Sequence, residues 1–395
     1  MKDHFHSHNK NDDYKIDAHK LIYHPERVSE WLKSIGDWEK EKNIFPIYME
    51  ISPVSYCNHR CKFCALDFVN NSTTSSSSTI SKLDTKILAN RIKEFADLGI
   101  KSIMFAGEGE PTLHPDLPQL LDLCSEYKID TSLTTNFIIK DKTKIANFVK
   151  NCKWIKISVG GGNEETYSKI HGTKAKANDF EILMENIKYA LSIRKDFRND
   201  CAIGMQIILL PDNFDSVLEL AEKAANLGVD YLVVKPYSQH PLSITSEYAN
   251  IDYKEERYLS LESELKKIST DKFKIIYRSQ AINHYIQNER SEQNEQSEGQ
   301  DRYKTCYSVP FFWSYITAIG DVLGCSNWFN NEHFNYGNIN NNSFAQIWRG
   351  EKRKESINYI KEKLKVSDCR LNCRMENVNY YLWELINPHP HVNFI

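Results

Sequence analysis

From Ile44 to Lys235 the chain repeats one unit, an apolar run of strand length followed by a helical pattern. The strand runs are Ile47–Ile51, Lys101–Phe105, Asp130–Thr135, Trp154–Val159, Ile203–Leu209 and Tyr231–Lys235. Helical patterns lie between them, over Asp84–Leu98, Asp116–Tyr127, Lys142–Lys150, Phe180–Ile193 and Phe214–Leu227. Each unit takes roughly 30–40 residues, the length of a strand with its crossover helix. Six strands in this order predict an α/β fold, a parallel sheet curled into a partial (βα)6 TIM-like barrel.

Other stretches set the boundaries. Residues 1–43 read as a polar tail with His4, His6 and His8, then one amphipathic helix from Leu21 to Lys42 (Val28, Trp31, Leu32, Ile35, Trp38). The barrel is expected over 44–245. A bridging region over 246–300 ends in the polar linker Asn288–Gln300, and a C-terminal domain with a tail fills 301–395. The stretch Asn70–Thr79 reads as a polar loop inside the barrel. Lys and Arg number 50 against 53 acidic residues, a balance that points to neither nucleic acid nor an anionic membrane surface. No apolar run approaches the ~20 residues of a membrane span, and the first residues lack a signal-peptide core. A cytoplasmic setting is expected, in which ten cysteines are not a disulfide framework.

Cys57, Cys61 and Cys64 stand as C-x3-C-x2-C directly after the first strand. That places them on a loop at the C-terminal face of the barrel, where such barrels hold their active sites. Three thiolates on one short loop hold three irons of a cubane cluster and leave the fourth open, as a catalytic site requires. The rival, a structural zinc, wants a fourth ligand, and His59 is badly placed within the loop to supply it. Cys124, Cys152 and Cys201 read as buried, unreactive thiols away from that face.

In this motif, with Phe63 before its last cysteine, the chain resembles the radical S-adenosylmethionine (radical SAM) enzymes. The resemblance implies a [4Fe–4S] cluster whose open iron is chelated by S-adenosyl-L-methionine. Gly107, Glu108, Gly109 and Glu110, followed by Pro111, resemble the family's glycine-rich loop after strand two, with Glu108 where a second Gly is usual. Glycines let backbone carbonyls approach the cofactor's ammonium, and Glu110 is expected to contact it. By the same resemblance Phe63, Thr135, Asn136 and Ser158 are cofactor-binding candidates. The segment Thr166–Gly172 is similar to one that often ends Arg-Gly, but carries His171 in the Arg position. Gln206 and Lys235 are candidates to point into the barrel.

The remaining four cysteines, Cys306, Cys325, Cys369 and Cys373, satisfy either a complete [4Fe–4S] cluster or a structural zinc. The first two bound a β-hairpin expected to turn at Gly320 and Asp321. The segment Cys306–Arg353 resembles the SPASM domain of radical SAM enzymes, in a shortened, twitch-like form with one auxiliary cluster. A small β-hairpin-plus-helix iron–sulfur domain is therefore expected after the barrel. Together the resemblances imply an enzyme that takes one electron from a flavodoxin- or ferredoxin-type donor. It forms a 5′-deoxyadenosyl radical and abstracts hydrogen from a C–H bond. A single auxiliary cluster leans toward oxidation of a small polar metabolite, of sugar or cyclitol type. Peptide or protein modification is the alternative, and a non-catalytic zinc protein the remote one.

Overall fold

The computed structural model describes residues 19–71, 81–173, 178–197, 200–279, 281–283, 303–370 and 372–394. The histidine-bearing tail, most of the Ser/Thr-rich loop and the linker 288–300 lie outside the described residues. Strands β1 (Tyr48–Ile51), β2 (Ser102–Phe105), β3 (Asp130–Thr135), β4 (Cys152–Ser158), β5 (Ala202–Leu209) and β6 (Tyr231–Pro236) pair in chain order, all parallel. Their expected bounds hold to within two residues.

The sheet goes further than expected at both edges. The stretch read as a bridge forms the helix Glu256–Ile268 and a seventh parallel strand, β7 (Lys274–Tyr277), on β6. At the other edge β8 (Trp313–Ile316) lies parallel to β1, with Tyr48 opposite Trp313 and Ile51 opposite Ile316. The antiparallel β9 (Asp321–Leu323) and β10 (Asn335–Asn338) complete ten strands in the order β10-β9-β8-β1-β2-β3-β4-β5-β6-β7. The C-terminal hairpin therefore continues the barrel sheet instead of standing apart from it. Its turn closes one residue early: Gly320 has φ +91°, Thr317 N–H donates to Asp321 O at 3.0 Å, and Asp321 already belongs to β9.

Packing follows the two-residue period of strands. On β4, Ile155 and Ile157 are fully buried against the helices, and Trp154, Lys156 and Ser158 take the concave face. The single N-terminal helix expected over 21–42 is broken into Leu21–Tyr23, Pro25–Leu32 and Trp38–Glu41. The longer piece ends at Leu32, Gly36 turns the chain at φ +82°, and the Asp37 side chain caps the next piece by accepting Glu39 N–H. These pieces pack on Phe311, Phe312 and Leu382, whose helix Glu376–Ile386 is built from the tail the sequence left unassigned. Arg353 is fully buried there, donating to the carbonyls of Pro310, Trp348 and Glu41 with its guanidinium 4.3 Å from the Trp348 ring. Among the described residues no helix is long and apolar enough to cross a membrane.

Candidate active site at the strand ends

The loop of Cys57, Cys61 and Cys64 leaves β1 and runs across the C-terminal ends of the next strands. Two neighbours lock it. Glu110 N–H donates to Tyr56 O at 2.9 Å, and a Cβ on Gly109 would stand 2.1 Å from that same carbonyl oxygen. Only glycine lets the second loop lie so close. On the other side the helix Glu164–His171 ends against the cysteine loop. The carbonyls of Ile170 and His171 accept from Lys62 and Arg60 N–H, both at 2.9 Å. Gly172, at φ +57°, ends that helix with its missing Cβ 2.5 Å from Arg60 O. The last orphan carbonyls of a helix are thus spent on fixing the cysteines.

His171 sits behind Cys61, fully buried and not facing solvent. Its Nε2 lies 2.8 Å from Gly160 N–H and must accept, so its proton is on Nδ1, 3.0 Å from Cys61 Sγ. Burial and the neighbouring His59 hold it well below the usual imidazole range, in keeping with a neutral ring. His59 is buried too, its Nε2 2.9 Å from Asp179 Oδ2. One donor atom each of His59, Cys61 and His171 fall within 4.8 Å of one another. His171 Nδ1 carries the hydrogen given to sulfur, so it is not free to serve as a metal ligand. Phe63 is half-buried, edge-on to His171 and packed with Leu210, Tyr237 and Tyr248.

Within the glycine-rich loop Glu110 has structural partners that the sequence did not indicate. Both Glu110 carboxylate oxygens are engaged by this chain's own donors. Oε1 accepts from Thr112 N–H (3.0 Å), Thr112 Oγ1 (2.7 Å) and Thr135 Oγ1 (2.6 Å), and Oε2 accepts from Asn136 N–H (2.7 Å). The side chain fastens the β2 loop to the end of β3. Thr135 is spent on the same network, while Asn136 reaches the cysteine loop through Asn58 Oδ1 at 2.7 Å. Glu108 turns toward the hairpin, where its Oε1 accepts from Ala318 N–H at 3.0 Å. Burial there pushes its carboxyl up to about 7. Ser158 ends β4 half-buried on the concave face, with Gln206 as its partner on β5.

The four C-terminal cysteines converge from three elements. Cys306 precedes β8, Cys325 follows β9, and Cys369 and Cys373 lie before the last helix. Burial and the neighbouring sulfurs push Cys373 up to about 12 and Cys325 well above the usual thiol range. The first set behaves alike: Cys57 is raised to about 12, chiefly by burial, and Cys61 far above its usual value by burial and its two neighbours. Half-buried thiols gathered in this way suit a cationic centre, and both donor sets fit iron. Asn379, which the sequence gave no reason to single out, donates from Nδ2 to Cys306 Sγ at 3.3 Å while its Oδ1 accepts from Tyr307 and Ser308 N–H. Cys124, Cys152 and Cys201 are buried in the core, as expected.

The two sites are joined. Asp67, just past Cys64, accepts from Ile244 and Thr245 N–H in the loop after β6. His240 of that loop reaches Ser326 O at 3.0 Å, next to Cys325. Phe68 stacks on His240 and meets Phe329 edge-on, and Phe329 packs on Tyr315.

Comparison with known proteins agrees with this geometry. The model of the radical SAM superfamily matches residues 51–224, and that of the SPASM iron-sulfur cluster-binding domain matches 306–374. The GTP 3′,8-cyclase of Chlorobaculum tepidum is 23% identical over 228 residues, 56% of this chain and 64% of that protein. The tungsten-containing aldehyde ferredoxin oxidoreductase cofactor-modifying protein of Pyrococcus furiosus is 27% identical over 52% of this chain and 53% of its own length. Among solved structures, Streptococcus suis SuiB bound to precursor peptide SuiA superposes with a TM-score of 0.57 at 19% identity, covering 84% of this chain and 69% of that one. Native anSMEcpe with bound AdoMet gives 0.54 at 16%, covering 87% and 98%. At these identities the structural likeness is one of fold.

Proposed function

We propose, from the premise that this chain belongs to the radical SAM superfamily and carries a C-terminal SPASM iron–sulfur domain, that it oxidises a small polar metabolite at a C–H bond. The observation that carries the reading is the pairing of two unequal cysteine sets. Three cysteines stand at the strand ends, and a second set of four stands across the loop after β6. Cys57, Cys61 and Cys64 would hold a [4Fe–4S] cluster with S-adenosyl-L-methionine. Cys306, Cys325, Cys369 and Cys373 would hold an auxiliary one. When bound, the first cluster and its cofactor supply a 5′-deoxyadenosyl radical.

The chain's own part is to position and to exclude water. Glu110 holds the β2 and β3 loops in one frame, so that the backbone between Gly107 and Glu110 can present carbonyls to the cofactor. Asn136 and Ser158 stand at the next two strand ends as cofactor contacts, with Phe63 beside the last ligand. The Phe68, His240 and Phe329 stack closes the space between the two sets. Four protein ligands leave no open iron in the auxiliary set, which favours accepting an electron over binding substrate. A cysteine hydrogen donor would argue for redox-neutral inversion. The three cysteines outside the two sets are buried in the core, 0–1% exposed, and point to oxidation instead. A flavodoxin- or ferredoxin-type protein would supply the electron.

The test is product analysis with a candidate substrate deuterated at the reacting carbon. Deuterium is expected in 5′-deoxyadenosine, and the product is expected to be lighter than unlabelled substrate by about two hydrogens, the balance of a two-electron oxidation. A product of unchanged mass carrying solvent hydrogen would replace oxidation by inversion. Turnover of a peptide alone would favour the peptide chemistry for which SuiB, bound to its precursor peptide, is the structural parallel.

A further inference from the structure

The last helix, Glu376–Ile386, puts a polar residue where its packing calls for an apolar one. Asn379 and Leu382, three positions apart on one face, are its two fully buried residues. Leu382 belongs to the apolar cluster of Trp31, Phe311 and Phe312, and Val378 and Tyr381 pack against the same cluster. Asparagine is a mediocre helix former, and burying its amide is costly unless both ends find partners.

Both ends do. Oδ1 accepts from Tyr307 N–H at 2.8 Å and from Ser308 N–H at 2.9 Å. Two backbone donors at one end fix the amide's orientation, because only the oxygen can accept. Nδ2 is then the end that faces Cys306 Sγ, at 3.3 Å, and it can only donate. Ser308 Oγ lies 3.7 Å from the same sulfur. A ligating Cys306 is a thiolate with no hydrogen of its own, so both groups face it as donors. The helix itself is held at two ligands of the set. Trp383, one turn on, stacks on Tyr307 with ring centroids 6.4 Å apart, and Glu376 N–H donates to Cys373 O at 3.0 Å.

We propose that Asn379 is a positioning residue that raises the reduction potential of the auxiliary cluster through its hydrogen bond to the Cys306 thiolate. This rests on the auxiliary-cluster reading above and adds to it the device that sets the cluster's affinity for an electron. A donor on a ligand sulfur favours the more negative, reduced state. The amide that anchors the turn after Cys306 thus also makes the set a better electron acceptor, the role proposed for it. His171 and Cys61 repeat the arrangement in the first set, with one ring nitrogen held by a backbone N–H and the other on sulfur.

The test uses the full chain with Cys57, Cys61 and Cys64 replaced by alanine and reconstituted anaerobically, so that one cluster is expected. Potentiometric titration followed by electron paramagnetic resonance reads its midpoint, and iron analysis its occupancy. At about pH 8, where an aspartate is ionised, Asn379→Asp keeps an oxygen for Tyr307 and Ser308 N–H but brings no donor to Cys306. Asn379→Ala removes both without adding charge. Each variant is expected to keep its irons and to be harder to reduce by about tenfold, ~59 mV in a one-electron midpoint. Exchange into deuterium oxide is expected to give the parent's reduced cluster a deuteron coupling, read by pulsed resonance, that Asn379→Asp lacks. The parent's midpoint in either iron-loaded variant overturns the proposal. So does a lower midpoint in Asn379→Asp with that coupling unchanged, an effect of charge alone. Iron lost from Asn379→Ala while Asn379→Asp behaves as the parent also overturns it, leaving the residue a structural role. If the triple-alanine parent holds no iron–sulfur cluster, the auxiliary-cluster reading itself fails, and the proposal with it. An intact cluster at an unmoved potential sinks only the role of Asn379.

Discussion

His171 stands where the family segment usually has arginine, and its surroundings give it a different job. A ring whose Nε2 accepts Gly160 N–H can only donate from Nδ1, and the acceptor it faces is Cys61 Sγ. Hydrogen bonds to cluster sulfurs raise reduction potentials, because they favour the more negative, reduced state. His171→Leu is therefore expected to keep its cluster and lower its midpoint potential by tens of millivolts, against ~59 mV for a tenfold one-electron change. Potentiometric titration followed by electron paramagnetic resonance reads this directly, and an unchanged potential would remove the role. Glu110 gives a second expectation. Glu110→Ala strands the buried N–H groups of Thr112 and Asn136, at about 1–3 kcal/mol each. Thermal stability and cofactor affinity are expected to fall together, with Glu110→Gln milder in both. Lost affinity at unchanged melting temperature would instead give the carboxylate a direct contact with the cofactor. Neither role was legible in sequence, where His171 was a departure from a motif and Glu110 a match to one. Each depends on a backbone N–H brought in by tertiary structure.

At the scale of elements, the strands legible in sequence include those with a continuous apolar run, such as Tyr231–Lys235, reproduced to within one residue, and Asp130–Thr135, whose bounds are reproduced without change although Leu133 is its only aliphatic residue. The missed pieces lack that local signature. β7 is four residues long with a half-buried first half, and the pairing of β8 with β1 joins residues more than 250 positions apart. Glu108 sits at that joint, and its elevated carboxyl gives a pH expectation. The folded state binds its proton more tightly than the unfolded chain, whose carboxyl keeps an ordinary value near 4.3. This group's contribution therefore favours folding at low pH and is progressively lost between about 4.5 and about 7. Glu108→Gln keeps an oxygen for Ala318 N–H and carries no charge. Chemical denaturation is expected to find the variant more stable than wild type at pH 8, with the gap closing toward pH 5. An equal gap at both would contradict the assignment. Gly172→Ala is expected to cost more than an ordinary surface change. It places a Cβ in the left-handed region and 2.5 Å from Arg60 O, so iron retention at the first set is the quantity to follow.

Over the whole molecule, one sheet carries both cysteine sets: the three follow β1, and two of the four flank the β8–β9 hairpin that pairs with β1. A rigid sheet of this kind fixes the distance between the two cysteine sets. Spacing pointed the first set to a cluster with an open iron, but left the second between a cluster and a structural zinc until the resemblance decided it. Their union in a continuous sheet was not readable, since it rests on the pairing of β8 with β1 and not on either motif. The central claim is that the two sets hold separate clusters and that only the first opens the cofactor. It is tested by replacing Cys57, Cys61 and Cys64 together with alanine and measuring iron, sulfide and 5′-deoxyadenosine after anaerobic reconstitution. The account predicts about four irons retained, those of one cubane, and no 5′-deoxyadenosine under dithionite. Continued cofactor cleavage by that variant, or zinc in place of iron in the wild type, would contradict it.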